Sequence, residues 1–179
     1  MFDSSFPFSL IQKTPKKSDY QIAEYIFQFR TSKRRYVVIV EEYELNVFAV
    51  KFFPAHKKNQ PNRYSLVLND FDFPPIIRTC VNIMQSFLEQ NPLASFAYVG
   101  ANSITNNFTE PKANTKRYRI YEYVMDAFLN PALFKRFFST KNSAVLLVNT
   151  KNENYDLHAE KIIEIFTDLY NELDAIDDI

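Results

Sequence analysis

Glycine occurs once in 179 residues, at Gly100. A dinucleotide fingerprint and a Walker A loop both need several glycines to bring backbone against phosphate, so neither can be written here. Cysteine also occurs once, histidine twice and tryptophan not at all. That excludes a disulfide framework and a Cys/His zinc cluster, and no cofactor is implied. Neither charge sign dominates: 21 Lys and Arg balance 21 Asp and Glu. Nucleic-acid binding driven by net charge alone is therefore not expected. No apolar run approaches the ~18 residues that span a bilayer, so no membrane partner is expected. The start, Met1-Phe2-Asp3-Ser4-Ser5, has an acid where a signal peptide carries Lys or Arg. With the lone cysteine, this makes a reducing cytoplasm the expected compartment.

Aromatic residues are abundant: 18 Phe and 11 Tyr make up 16% of the chain. The charges, balanced in total, are segregated along it. Residues 1–60 carry ten basic and six acidic side chains, residues 61–150 nine and six, and residues 151–179 two and nine. A basic body thus carries an acidic C-terminal segment. Its acids are a solvated helix face, a shield over a basic surface beside the helix start at 116–119, or a docking face for a basic partner.

Residues 1–20 form an N-terminal arm, with Phe2, Phe6 and Phe8 followed by a polar Lys/Pro/Ser stretch. Three Phe so close together must be covered, by the same chain or by a protein partner or second copy bound through the arm. Residues 21–179 form one α+β domain. Strands are expected over 23–30, 36–40 and 45–53, and a fourth at Tyr64, Leu66 and Leu68, as an antiparallel meander. Several are apolar on both faces, so the sheet is covered on both sides. The period then changes. Pro74-Pro75 opens a helix, with Asp72 as a candidate N-cap, and Asn91-Pro92 stops it. A strand over 95–99 ends at Gly100, and a polar loop follows over 101–114. A helix over 115–129 resumes after Asn130-Pro131 through Phe134, Phe137 and Phe138. A strand over 144–148 and a helix from 157 to about 176 complete the chain. The last two strands are joined through a helix and so can be parallel, with a right-handed crossover. The sheet is mixed and largely antiparallel, with helices packed on it.

Chemistry is most expected near Gly100. A lone glycine at a strand end implies either a positive φ or a backbone packed too closely to admit a Cβ. The crevice beyond strand carboxyl ends is also where ligands favour binding. The long loop leads into Thr115-Lys116-Arg117-Tyr118-Arg119, where cations oppose the helix dipole. Gly100, Lys112, Lys116, Arg117, Arg119 and Tyr121 are therefore the candidate anion-binding residues. Asp70 and Asp72 suit a strand-to-helix turn rather than a metal. His56 and His158 lack a neighbouring nucleophile in sequence. Cys80, on an apolar helical face, is a small core residue. No catalytic residue and no metal ligand is assigned.

The pieces Asn91-Pro92, Tyr98-Val99-Gly100 and Arg117-Tyr118-Arg119-Ile120-Tyr121 resemble a group of small uncharacterised bacterial α+β proteins. These share a strand ending aromatic-x-Gly and a helix opening Arg-x-Arg-x-Tyr. The resemblance covers about a quarter of the chain. It implies the element order and draws attention to Arg117 and Arg119, but carries no activity. The expected function is non-enzymatic binding of a protein or an anionic ligand. The alternatives are an RNA-binding or toxin-like ribonuclease using a basic and aromatic patch, and a small anionic-ligand enzyme at the Gly100 crevice.

Overall fold

The computed structural model describes residues 4–65, 73–105 and 107–170. Nine strands and three helices are described: β1 (Phe8–Pro15), β2 (Gln21–Arg30), β3 (Arg35–Tyr43), β4 (Val47–Pro54), α1 (Phe73–Gln90), β5 (Ser95–Val99), β6 (Ile104–Thr105), β7 (Phe108–Thr109), α2 (Lys116–Phe128), β8 (Phe134–Ser139), β9 (Ala144–Asn149) and α3 (Tyr155–Leu169). Seven of the strands form one sheet in the order β1-β2-β3-β4-β5-β9-β8, and β6 and β7 make a small separate hairpin. All neighbours in the large sheet are antiparallel except β4 and β5, which α1 joins in parallel. The fold is α+β with a mixed, largely antiparallel sheet, as the sequence predicts.

Alternating side chains divide the core in two. Phe27, Phe29, Tyr36, Val38, Val40, Phe48 and Phe96 face α1 and α2. Tyr43, Val47, Ala49, Leu146 and Val148 face α3. This is why β3, β4 and β9 are apolar on both sides: each strand lies between two helical layers.

Three expectations are corrected. Residues 8–15 of the arm are the edge strand β1, paired with β2 from Phe8↔Phe29 to Pro15↔Ala23. Phe6 stacks on Phe29 with centroids 5.8 Å apart, and Phe8 meets Phe27 edge-on at 5.9 Å, so these two Phe are partly covered by their own body; Phe2 lies outside the described residues. The segment with Phe134, Phe137 and Phe138 is strand β8, not a resumed helix. Phe134 and Phe138 point to one core and Phe137 to the other. Because β8 reverses the chain before β9, β5 and β9 are antiparallel rather than parallel. The expected strand at Tyr64–Leu68 begins with Tyr64 in a turn. Its remainder, Asp70 and the candidate cap Asp72 lie outside the described residues.

The acidic last helix does not lie beside the 116–119 helix start. α3 covers the opposite sheet face from α2, because the β8–β9 hairpin delivers the chain to that side. Lys135 pairs instead with Asp156, 2.5 Å away, and Tyr20 donates to Asp168. Among the described residues, no helix is long and apolar enough to cross a membrane, and no three His, Cys, Asp or Glu gather as a metal site.

Candidate functional site

The parallel pair β4 and β5 is in register for only three residues: Val47↔Ser95, Phe48↔Phe96 and Ala49↔Ala97. Beyond them β4 stays with β3 as far as Pro54↔Tyr36, and β5 stays with β9 as far as Val99↔Ala144. The sheet therefore opens between the carboxyl-terminal halves of its two central strands. A cavity of about 400 Å³ occupies the opening, within the ~300–1,000 Å³ typical of small-molecule sites.

Both sheet faces contribute to its walls. Val50, Phe52, Tyr98, Tyr121 and Arg117 border it on the α1/α2 side, and Lys51, Phe137, Ile163, Phe166 and Tyr170 on the α3 side. Ala49, Ala97, Ala101 and Ala144 also line it; small side chains at a strand divergence leave space that the surrounding aromatics bound. Val99, half exposed, and Tyr64 stand at its margin.

The polar groups in these walls are few and organised. Lys51 Nζ lies 2.6 Å from Glu41 Oε2 and donates to the Tyr170 hydroxyl at 3.0 Å. Tyr43 donates to Glu41 at 2.8 Å and sits 3.2 Å from the Tyr170 hydroxyl. Burial pushes the Lys51 ammonium down, but Glu41 and Tyr170 outweigh it and hold Lys51 above the usual lysine range. Lys51 is therefore a charged wall group and not a neutral nucleophile. Burial raises the phenols of Tyr98 and Tyr121, so both keep their protons. The buried Tyr98 hydroxyl has no hydrogen-bond partner among the described residues.

Gly100 does something different from cradling a ligand. Its φ is not positive. A Cβ built on it would lie 2.5 Å from the Tyr118 backbone nitrogen and 2.8 Å from Thr115 Oγ1. The close-packing half of the expectation holds: glycine lets the β5 end touch the first turn of α2. A buried polar knot fixes that contact. Thr115 Oγ1 donates to the Gly100 carbonyl at 2.6 Å and accepts from the Tyr118 amide. Gly100 N–H donates to the Ser143 carbonyl, and Ser143 Oγ accepts from the Thr115 amide while donating to the Lys112 carbonyl.

The α2 amino terminus, where an anion is expected, receives the chain's own carboxylate. Glu110 accepts from the Lys116 amide at 2.7 Å and from the Ser103 amide at 2.9 Å. Partial desolvation pushes the Glu110 carboxyl up, but these two amides outweigh it and hold the group below the usual range. Lys112, Lys116 and Arg119 are exposed, and Arg119 donates to the Asn114 carbonyl. Of the six candidate residues, Arg117 and Tyr121 alone line the cavity. The remaining wall residues escape sequence reasoning because nothing in one strand shows where its neighbour departs.

His56 is exposed in the short 3-10 helix that follows β4. The His158 imidazole is pushed down by burial, opposed by a hydrogen bond with the Leu45 backbone, and its Nε2 has no partner among the described residues. Cys80 is buried in the core, which pushes its thiol up to about 12.

The opening lies at one end of the sheet, and topology brings the basic turns there. Strand pairing puts Arg30, Lys33, Arg34 and Arg35 of the β2–β3 turn at the end where β4 finishes. Lys57, Lys58 and Arg63 follow in the segment after β4. Ile104 donates to the Ser65 carbonyl and Asn114 to the Thr140 carbonyl, which ties in the loop bearing Lys112, the helix start with Lys116, Arg117 and Arg119, and the turn with Lys141. These segments carry twelve cationic side chains and one carboxylate, Glu110. Setting Asp3, Asp70 and Asp72 of the undescribed segments against them still leaves positive charge in large excess.

Among protein-family models, curated proteins and solved structures, none matches this chain.

Proposed function

We propose that the protein acts by binding, and that its ligand is an anion with an apolar or aromatic body that enters the opening between β4 and β5. The observation that carries this reading is the opening itself: an apolar, aromatic-walled cavity at the strand carboxyl ends, with Arg117 and Lys51 in its walls. The aromatic side chains supply area for the body of a ligand, and the cations favour a negative head group. Lys51 is held by Glu41 and Tyr170 on one wall, and Arg117 stands on the other, so a head group meets a cation on either side. Among the described residues, no set of acid, base and nucleophile comes together around the cavity, which supports binding rather than turnover.

The test is calorimetric titration with anilinonaphthalene sulfonate, an aromatic body bearing one anionic group. Binding is expected at one site per chain. Val99→Phe, at the half-exposed margin, should abolish it without lowering the melting temperature. Arg117→Gln should weaken it several-fold while leaving the dye's unsulfonated analogue unaffected. Unchanged affinity in Val99→Phe would show that the cavity is not the site.

A further inference from the structure

We infer that the anion is single-stranded nucleic acid, with an unstacked base in the β4–β5 opening and its phosphates along the basic end of the sheet; this rests on the binding role proposed for that opening. Three observations converge. The first is the count of twelve cations against one carboxylate in the turns around the opening, far more than one head group needs. The second is their spread. They run from the β2–β3 turn to the β8–β9 turn, and the four strand spacings of ~4.8 Å between the centres of those turns make a track of about 19 Å. That is the dimension of a backbone, not of a small molecule.

The third is aromatic. Phe52, Tyr64, Tyr98 and Tyr121 stand in the opening's walls, and Phe108 is 60% exposed on the β6–β7 hairpin. Arg63 is layered on the rings of Phe53 and Tyr64, 4.8 and 4.9 Å from their centroids, and donates to the Tyr64 hydroxyl, which fixes the Tyr64 wall. Aromatic platforms beside cations are how single strands are held without sequence readout. An acidic protein partner would use the cations but would have no need of a base-sized aromatic slot. A duplex would keep its bases stacked and out of the slot.

The test measures fluorescence anisotropy of labelled U12 RNA, dT12 DNA and a 12-residue polyglutamate on the full chain. Both oligonucleotides should bind more tightly than polyglutamate and weaken steeply from 50 to 200 mM salt. Whether U12 or dT12 binds more tightly separates an RNA from a DNA partner. The exposed-charge variant Arg30→Gln/Arg35→Gln/Lys58→Gln should lose at least tenfold in affinity and lower the log–log salt slope by about 2. The same variant should bind the sulfonate dye as the parent does. Phe108→Ala and Val99→Phe should each weaken oligonucleotide binding about tenfold. Equal affinity for polyglutamate, or oligonucleotide binding indifferent to both aromatic-site variants, would overturn the inference in favour of an acidic protein partner. If the dye binds while the oligonucleotides do not, the nucleic-acid inference fails and the small-ligand reading stands. If the dye does not bind either, both fail together.

Discussion

At the residue scale, Gly100 and Glu110 together decide how α2 begins. A methyl group at residue 100 would press on backbone and on a buried hydroxyl that is itself bonded, so neither neighbour can yield cheaply. Gly100→Ala is expected to destabilise by about 2 kcal/mol or more in urea unfolding. An unchanged midpoint would mean that the contact relaxes freely. Thr115→Val keeps the shape but removes the hydroxyl that serves both the Gly100 carbonyl and the Tyr118 amide. It should cost about 1–3 kcal/mol, since a buried carbonyl and amide lose their partner. Glu110 adds a pH dependence. Its folded-state proton affinity is depressed, so its contribution is present above the unfolded value of about 4.3 and is lost as pH falls through the lower folded value. Stability of the parent should therefore fall with acidification more steeply than that of Glu110→Gln over this window. Parallel curves for the two proteins would dismiss the role assigned to Glu110.

At the element scale, β1 and β8 show where a sequence is legible and where it is not. β2, β3 and β4 are β-branched and aromatic runs, and their two-sided burial predicts the two helical layers that the structure contains. β8 carries Phe-Lys-Arg-Phe-Phe-Ser, whose aromatic spacing of three and four fits a helix face as well as it fits a strand buried on both sides. Six residues are too few for period to choose between them. β1 hides its strand character because its outer face is exposed: Leu10 and Ile11 are about half exposed, and its register slips between Leu10 and Gln12. Such a bulge, with Lys13 and Pro15, protects an edge from pairing with other chains. The opening between β4 and β5 could not be read at all, since it arises from pairing between segments some fifty residues apart. The candidate site was legible only through Arg117 and Tyr121, which share a helix with the residues that drew attention to it.

The same geometry makes the arm testable. Phe6 and Phe8 are half buried against Phe29 and Phe27, and the Phe6 amide donates to Thr79 on α1, which clamps the arm across two elements. Phe6→Ala/Phe8→Ala should lower unfolding free energy by about 2–4 kcal/mol, less than full burial of two Phe would cost. Deleting residues 1–12 should do at least as much and expose β2 as a new edge. Sedimentation of the deletion variant should then show more self-association than the parent does.

At the scale of the whole molecule, the charges that cancel in total are set apart in space. The basic turns cluster at one end of the sheet, and the acids of α3 lie across its opposite face. Glu160, Glu164 and Asp168 are exposed on α3, separated from Arg117 and Arg119 by the sheet. Sheet and helix layers stack about 10 Å apart, while salt screens charges over about 8 Å at physiological ionic strength. A field from α3 is therefore weak by the time it reaches the α2 start. Neutralising Glu160, Glu164 and Asp168 to Gln or Asn is expected to leave elution from a heparin column within a few tens of millimolar of the parent. The Arg30→Gln/Arg35→Gln/Lys58→Gln variant, which changes the same number of charges, should elute markedly earlier. The two substitutions alter net charge by equal and opposite amounts, so a response governed by total charge would shift both elutions equally, in opposite directions. A shift confined to the basic end would locate polyanion binding there. An equal and opposite shift would mean that the separation of charge has no consequence for binding, and that α3 masks the basic surface through the field of the whole protein.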